Sequence, residues 1–331
     1  MRTSIMGTGS YLPERVVTNF DLSQMMPTTD EWIFQRTGIR ERRYAHPSES
    51  PSSLGVIAAR RAIEAAGLQP KDIGMLICAT QSPDHQFPGT GCLIQEKLAL
   101  RTVGAIDVRA QCSGFVYGLS MADAYIRAGL QKHILLVCTE IHSRALDYSE
   151  KGRQVTVLFG DGAGAVVLGA TEDESRCIMS VDLHSDGRFA RDLMLEAPGF
   201  AFAPSWCTHE MIDQGKTYVQ MNGRSVYKEA VSSMREAIAE MLEFNRLAVA
   251  DVDHLICHQA NRRINEAVAN HFGFPESKVN HSIERFGNCG AASVPIALDE
   301  WVRSDRIQAN DTVLLASFAA GFTWGGAALN W

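Results

Sequence analysis

The sequence lacks the patterns that would place the chain in a membrane or on a nucleic acid. No stretch approaches the roughly 18 consecutive apolar residues of a membrane-spanning helix, and residues 1–14 contain no apolar segment typical of a secretory signal. No long run of lysine and arginine is present, and the formal net charge is −7. We therefore expect a cytoplasmic protein that binds neither membrane nor nucleic acid.

The eight cysteines are scattered along the chain and include no C-x-x-C pair. That spacing is typical of structural zinc sites, and its absence also argues against an ordered disulfide framework. We therefore expect no metal site, and we expect most of these cysteines to be buried core thiols.

An internal repeat indicates how the 331 residues are divided. The chain exceeds the size at which a single hydrophobic core usually stops growing. A shift of 179 positions carries Leu, Asp, Leu, Ile and Cys of residues 68–78 onto identical residues of 247–257. Because helix and strand patterns alternate, we predict an α/β fold of two duplicated halves, residues 1–172 and 173–331. Residues 198–215, rich in proline, glycine and aromatics, are predicted to form a long loop near the cleft between them.

Residues 107–115, DVRAQCSGF, carry the central functional prediction. Apolar residues before them indicate a buried strand, and residues 113–129 have the apolar spacing of a helix. Cys112 would then lie at a strand-to-helix turn, where unpaired backbone N–H groups and the helix dipole lower the pKa of a thiol. A reactive nucleophile and a small buried hydrophobic residue are both compatible with this stretch.

The cleft shared by two packed halves would bring Cys112 opposite His258 and Asn288 of the second half. A thiolate can accept an acyl group from a thioester, and neutral His and Asn donors can stabilise the enolate that forms when a second substrate loses carbon dioxide. The same three residues could instead form a hydrolase, with His as base and Asn orienting it. A papain-like protease is disfavoured because the C-G-S-C-W type of context is missing.

Trp32 and Arg36 lie one helical turn apart on a segment that Thr29 or Asp30 is expected to cap. Such a pair can hold a flat ring such as adenine by stacking and cation–π contact. A capped surface helix is the simpler interpretation of the same spacing.

Six runs of residues, in this order, resemble the β-ketoacyl-acyl carrier protein synthase III family, thiolase-fold enzymes that initiate type II fatty-acid synthesis. Each run alone is weakly specific, but the ordered set spans nearly the whole chain. The runs are Trp32-Ile33 with Arg36-Thr37-Gly38-Ile39, Cys112-Ser113-Gly114-Phe115, Phe159-Gly160-Asp161-Gly162-Ala163-Gly164, His258-Gln259-Ala260-Asn261, Gly287-Asn288 with Ala291-Ala292-Ser293, and Gly321-Phe322-Thr323-Trp324-Gly325.

The resemblance implies a homodimer with a five-layered α-β-α-β-α architecture that uses neither a metal nor a redox cofactor. It implies that Cys112 accepts the acyl group of an acyl-CoA, and that His258 and Asn288 promote decarboxylation of malonyl-acyl carrier protein. It also implies an oxyanion hole made by the backbone N–H groups of Cys112 and Ala320.

The resemblance further assigns residues to substrate binding. Trp32, Arg36 and Arg153 match positions that hold the coenzyme A adenine and its neighbouring groups. Phe87 matches a residue at the end of the acyl pocket of the partner subunit. Two consecutive basic residues are expected on the face that docks the carrier protein, namely Arg262 and Arg263.

The sequence departs from the family pattern at positions that concern substrate choice more than chemistry. Residues 319–321 are less glycine-rich than usual, although alanine keeps the N–H that an oxyanion hole needs. Cys289-Gly290 replaces a more usual Thr-Ser, and Asn270-His271 stands where a lysine-rich docking patch can occur. The segment 198–215 is longer than expected. These departures bear on the acyl chain length and on the identity of the acceptor.

Three functions therefore remain compatible with the sequence. The first is the decarboxylating condensing enzyme, and the second is an acyltransferase that passes the acyl group to an oxygen, nitrogen or different carbon nucleophile. The third is a non-catalytic partner subunit. Retention of Cys112, His258 and Asn288 speaks against the third, and Asn288 favours the first because plain acyl transfer does not need it.

Overall fold

The computed structural model describes all 331 residues and has eleven α-helices and thirteen β-strands. The helices are α1 Asn19–Met25, α2 Asp30–Thr37, α3 Pro51–Ala65, α4 Thr90–Leu98, α5 Gly114–Arg127, α6 Arg153–Thr156, α7 His209–Asp213, α8 Gly223–Asn245, α9 Arg262–Phe272, α10 Ile283–Phe286 and α11 Ser293–Arg303. The strands are β1 Arg2–Tyr11, β2 Arg15–Thr18, β3 Glu41–Tyr44, β4 Met75–Ala79, β5 Gly104–Val108, β6 His133–Glu140, β7 Gly162–Thr171, β8 Cys177–Ser185, β9 Leu193–Met194, β10 Gln220–Met221, β11 His254–Cys257, β12 Thr312–Ala319 and β13 Thr323–Asn330.

Two mixed sheets with the same strand order form the framework. The first sheet has the order β1-β7-β6-β4-β5 and the second the order β8-β13-β12-β11. In both sheets two equivalent strands pair in parallel, β4 with β6 and β11 with β12. β5 also pairs with β4 in parallel, and all other pairs in the two sheets are antiparallel. β6 and β12 are offset by 179 residues at both ends, so the repeat in the sequence is a repeat of whole strands.

Helices fill the space between the sheets and cover both outer faces. α5 and α11 lie between the sheets, α3 and α4 cover the first sheet, and α8 and α9 cover the second. Each interface has its own buried cluster of aliphatic residues, the largest of which lies between the two sheets. This is the five-layered arrangement expected from the resemblance. No helix is both long enough and apolar enough to cross a membrane.

Two element boundaries differ from those that the sequence predicts. The apolar pattern of residues 72–79 predicts a buried strand. The strand begins at Met75, because Asp72 ends a 3₁₀ turn and accepts the N–H of Gln69 at 2.9 Å. The second half repeats this feature with Asp251, which accepts the N–H of Ala248 at 2.8 Å. The helix expected from residue 113 likewise begins with a 3₁₀ turn over residues 111–113, and the α-helix starts at Gly114.

The halves differ at one edge. The first sheet ends in β5, whereas the second sheet ends in β11, beside which Val279 makes a single parallel bridge to Leu255 in place of a fifth strand. All strands of the first sheet lie before residue 172 and all strands of the second follow residue 176. The division of the chain into domains 1–172 and 173–331 stays a prediction.

Residues 198–215 form a loop whose two ends lie next to each other. The backbone N–H of Ala197 donates to the carbonyl of Lys216 at 2.9 Å, which joins the two ends of the segment. Within it, the rings of Phe200 and Trp206 stack with centroids 5.6 Å apart, and α7 forms its second part. Its last residues line a cleft with residues 145–156, next to Arg153.

Candidate active site

Cys112 lies where the first half of the chain meets the second. It is at the centre of the 3₁₀ turn between β5 and α5, and only 8% of the residue is exposed. The Ser113 hydroxyl donates to the carbonyl of Thr323 at 3.1 Å, which fixes this turn to the start of β13. The turn also contacts β12, so the sulfur is placed at the end of the second sheet's central strand.

His258 lies at the same end of β12. Its backbone N–H donates to the carbonyl of Ala316 at 2.7 Å, and the residue is 2% exposed. Burial lowers the pKa of His258 to about 3, with a smaller contribution from the nearby His142. The imidazole is therefore neutral at physiological pH, and its buried Nδ1 has no protein partner.

Asn288 is held by its backbone, which leaves its side chain with a defined orientation. Its N–H donates to the carbonyl of Leu158 at 2.8 Å, and its own carbonyl accepts from Gly160 N–H at 3.0 Å. The side-chain Oδ1 accepts from Gly290 N–H at 2.8 Å. Because a backbone N–H can only donate, this bond identifies Oδ1 and leaves Nδ2 as a donor without a protein partner.

Glu140 links the loop after β4 to the turn that follows Asn288. Its fully buried carboxylate accepts from the hydroxyl of Ser82 at 2.6 Å and from Ala291 N–H at 3.3 Å. Ala291 belongs to the turn after Asn288, and a Cβ added to Gly114 would lie only 3.2 Å from the Ala291 Cβ. The two turns are thus in direct contact, and the structure brings Cys112, His258 and Asn288 to one junction.

The expected depressed pKa of Cys112 is wrong for the unliganded enzyme. Burial raises the pKa of Cys112 to about 12, the carboxylate of Glu140 adds to the increase, and a backbone hydrogen bond opposes it only partly. The turn that precedes α5 supplies too little stabilisation to offset the loss of water around the sulfur. The thiol is therefore protonated, and its proton must move to a base when the sulfur attacks.

Trp32 has two guanidinium groups against its ring, one from its own helix and one from a distant segment. Thr29 caps α2 by accepting the Trp32 N–H at 3.1 Å. The Cζ atoms of Arg36 and Arg153 both lie 4.5 Å from the centroid of the indole ring. The structure therefore adds Arg153, more than one hundred positions away, to the pair that the helical spacing predicts.

Two further predicted residues, Ala320 and Phe87, lie in loops. Ala320 is in the tight turn between β12 and β13, beside the contact of Ser113 with Thr323. Phe87 is in the loop before α4 and is 81% exposed, so within one chain it lines no buried pocket. Their roles stay predictions.

The two consecutive arginines at the start of α9 have different environments. Arg262 is half-buried and pairs with three carboxylates, those of Glu266 at 2.7 Å, Glu276 at 3.0 Å and Glu284 at 3.3 Å. Arg263 is exposed and forms no ion pair. Of the two, only Arg263 offers an uncompensated positive charge to a partner.

The sequence patterns did not identify Glu140, His142 or Gln81. Gln81 binds both Glu140 and His142, and Glu140 binds the turn that follows Asn288. Glu140 and His142 occur at the end of the apolar run of β6, and Gln81 follows β4. Charged and polar residues directly after a buried strand were the signal that could have found them.

The chain is similar to known proteins over nearly its whole length. The family model described as 3-oxoacyl-[acyl-carrier-protein] synthase III matches residues 106–187, and its C-terminal counterpart matches residues 242–331. The β-ketoacyl-[acyl-carrier-protein] synthase III of Methylococcus capsulatus is 45% identical over 99% of this chain and 98% of its own. The crystal structure of the Aquifex aeolicus 3-oxoacyl-[acyl-carrier-protein] synthase III has a TM-score of 0.91 and 39% identity, and covers 99% of this chain and 100% of that chain. That of a priming β-ketosynthase from a polyketide biosynthetic pathway has a TM-score of 0.91 and 34% identity, with coverages of 99% and 96%.

Two duplicated α/β halves with a cysteine, a neutral histidine and an asparagine donor at their junction define a thiolase-fold acyltransferase of the condensing type. The chain belongs to the β-ketoacyl-[acyl-carrier-protein] synthase III family. The fold and the enzyme class expected from the sequence are thereby confirmed.

The buried neutral imidazole of His258 makes folding stability depend on pH. Its folded pKa of about 3 lies below the ordinary value of 6.5, so between these values the unfolded chain binds a proton that the folded chain does not. The contribution is complete above pH 6.5 and is lost as the pH falls toward 3. From pH 7.5 to pH 5.0 the expected loss in the free energy of unfolding is about 2 kcal/mol.

Urea denaturation of the wild type and of His258→Asn at both pH values measures this effect. All other titrating groups are common to the two proteins, so the variant should lose about 2 kcal/mol less over the interval. Equal losses in both proteins would show that His258 is not buried in its neutral form.

Proposed function

We propose that this enzyme joins an acyl-CoA primer to malonyl-acyl carrier protein by decarboxylative Claisen condensation, giving a β-ketoacyl-acyl carrier protein. The observation that carries the proposal is the orientation of Asn288. Its Oδ1 accepts from Gly290 N–H, which fixes the orientation of the amide, and its Nδ2 donates to no protein group and is available to a substrate. A donor is what a developing enolate oxygen requires.

The same observation disfavours the hydrolase. In a hydrolase of this type the Asn side-chain oxygen accepts a hydrogen bond from a ring N–H of the catalytic His and so orients it. Here the Asn288 oxygen is bonded to Gly290 and the His258 Nδ1 has no partner. The pair is therefore suited to act side by side on a substrate oxygen.

The first half-reaction transfers the acyl group to Cys112. As the sulfur attacks the thioester carbonyl, its proton passes to the neutral His258, and the N–H groups of Cys112 and Ala320 stabilise the oxyanion. When the tetrahedral intermediate collapses, the coenzyme A sulfur leaves and takes that proton. The imidazole returns to its neutral form, as its low pKa favours.

The second half-reaction forms the carbon–carbon bond. Malonyl thioester loses carbon dioxide, and the electron pair of the broken bond becomes an enolate whose oxygen accepts hydrogen bonds from His258 and Asn288. The enolate carbon attacks the acyl group, and Cys112 is released as the leaving thiol after protonation. The broken carbon–carbon bond supplies the electron pair of the new bond, and one proton taken up from solvent restores the Cys112 thiol. We propose that no metal or redox cofactor takes part, because no electron leaves or enters the reacting groups and the two donors stabilise the enolate.

Substrate binding is proposed for two surfaces. Trp32, with Arg36 and Arg153 over its ring, presents an aromatic face and positive charge to the adenine and phosphates of coenzyme A. Arg263 offers an exposed cation to an acidic carrier protein, whereas Arg262 keeps the start of α9 in place through its three ion pairs.

We propose that the enzyme is a homodimer. β5 pairs only with β4, so its other edge is free to pair with a second copy. The exposed Phe87 lies in the loop before α4, the helix that packs on β5, so Phe87 could contact the same second copy. Light scattering of the purified protein tests the dimer.

All eight cysteines are free thiols, which supports a reducing, cytoplasmic location.

Trp32→Ala should weaken the use of acyl-CoA by roughly 1–2 kcal/mol in kcat/KM, the range for a cation and a ring stacked in a partly desolvated site. The maximum rate of Cys112 acylation should change less, because the chemistry is distant from the adenine. The measurement compares acyl-CoA with an N-acetylcysteamine thioester, which lacks adenine. An equal loss with both donors would make Trp32 a structural residue instead.

Intact-mass analysis after incubation with a panel of acyl-CoAs tests the proposed function and reads the primer from the adduct on Cys112. Release of carbon dioxide from malonyl-acyl carrier protein then tests the condensation. An enzyme that forms the adduct but releases no carbon dioxide would be an acyltransferase to another nucleophile.

A further inference from the structure

The ring of His142 lies next to the Asn288 turn and is held by hydrogen bonds at both of its nitrogen atoms. Only 10% of its side chain is exposed. Nδ1 lies 3.1 Å from the carbonyl of Gly160, which can only accept, so Nδ1 carries a proton. Nε2 lies 2.6 Å from the side-chain amide of Gln81. The His142 backbone is also held, since its N–H donates to Asp161 at 2.8 Å.

Two contacts of the His142 ring, with Gly160 and with Phe159, connect it to the backbone of Asn288. Gly160, whose carbonyl His142 binds, donates its own N–H to the Asn288 carbonyl at 3.0 Å. Phe159, against which the imidazole packs with ring centroids 4.5 Å apart, forms a parallel bridge with Asn288. The segment that supports the Asn288 backbone is therefore itself supported by one imidazole ring.

A third contact reaches the other side of the same turn. A Cβ added to Gly290 would lie 2.9 Å from His142 Cε1, so the ring packs directly under this glycine. Gly290 donates the N–H that orients the Asn288 amide, and it has a φ of +54° that favours glycine. His142 thus contacts the segments on both sides of Asn288, while the Cys112 turn is fixed separately through Ser113.

We infer that His142 is a positioning residue for the decarboxylation half-reaction: its ring, held between Gly160 and Gln81 and packed under Gly290, aims the Asn288 amide at the enolate. This role rests on the proposed function. It concerns Asn288 rather than Cys112, so loss of the ring should separate the two half-reactions.

Two substitutions separate hydrogen bonding from packing. His142→Phe keeps an aromatic ring against Phe159 and removes both nitrogen atoms. His142→Asn removes the ring but keeps an N–H donor close to the position of Nδ1. Circular dichroism and thermal unfolding establish that each variant is folded before its kinetics are compared.

Single-turnover assays measure acylation of Cys112 by acetyl-CoA, or by the acyl-CoA that best labels the wild type, and carbon dioxide release from malonyl-acyl carrier protein. His142→Phe should acylate within about threefold of the wild type and release carbon dioxide roughly 10- to 100-fold more slowly, the loss expected when a donor is displaced by up to about 1 Å. His142→Asn should recover most of that loss.

Three outcomes would overturn the role of His142. These are wild-type decarboxylation in His142→Phe, equal loss of both half-reactions in a folded variant, and failure of a folded His142→Asn to exceed His142→Phe. A wild-type enzyme that is acylated but releases no carbon dioxide is a different result. It would refute the proposed function first, and the positioning role with it.

Discussion

Cys112→Ala is expected to form no acyl-enzyme and to make no β-ketoacyl product. Without the sulfur, the acyl group has no covalent carrier between its two donors, and the loss should be on the order of a millionfold, as when the nucleophile of a covalent enzyme is deleted. His258 and Asn288 remain in place, so the variant should still bind malonyl-acyl carrier protein. Intact mass after incubation with acyl-CoA and a chromatographic assay of the product measure the loss.

Cys92→Ser is the matched control. Cys92 lies on α4 and is the most accessible thiol of the eight, whereas Cys112 is buried. The control should therefore lose a site of alkylation and keep full activity. An acyl adduct that persists in Cys112→Ala, or that disappears in Cys92→Ser, would assign the nucleophile to another residue.

Asn288→Ala is expected to form the acyl-enzyme but to condense two to three decades more slowly. Loss of one preorganised donor to a developing oxyanion costs on the order of 3–4 kcal/mol of transition-state stabilisation. Acylation uses the sulfur and the backbone N–H groups of the oxyanion hole, and these remain. Radiolabelled acyl transfer to the protein and carbon dioxide release from malonyl-acyl carrier protein, each in a single turnover, measure the two steps.

Asn288→Asp is a sharper variant because it keeps the oxygen that accepts from Gly290 at 2.8 Å and replaces only the Nδ2 donor. A carboxylate repels an enolate and offers no donor, so this variant should be at least as impaired as Asn288→Ala. Condensation at the wild-type rate in either variant would leave an acyltransferase without decarboxylation as the function.

The sequence predicts the framework well because the repeat is carried by local patterns. Alternating helix and strand signals and the 179-residue shift lead to two similar halves, and strand-to-helix turns identify Cys112, His258 and Asn288 as residues that could meet. The strand and helix ends are less well predicted, since Asp72 caps a turn where the apolar pattern alone suggests a strand.

The electrostatic state of the site is a tertiary property. The sequence around Cys112 indicates a helix start and a low pKa, but the structure buries the sulfur near Glu140, and the pKa rises instead. The charges of Arg262 and Arg263 are a second example. The sequence does not distinguish the two adjacent arginines, but in the structure Glu276 and Glu284 form ion pairs with Arg262 only. Neither effect is encoded in local spacing.

The missing fifth strand of the second sheet limits how copies can assemble. Two identical halves would each expose an edge like β5, and edges at both ends of a molecule allow growth into a filament. In this chain Val279 occupies that position with a single bridge to Leu255, so of these two corresponding edges only that of β5 is fully free. In the proposed homodimer, pairing of β5 with its own copy about a two-fold axis would occupy this edge in both molecules, and assembly through it would stop at two.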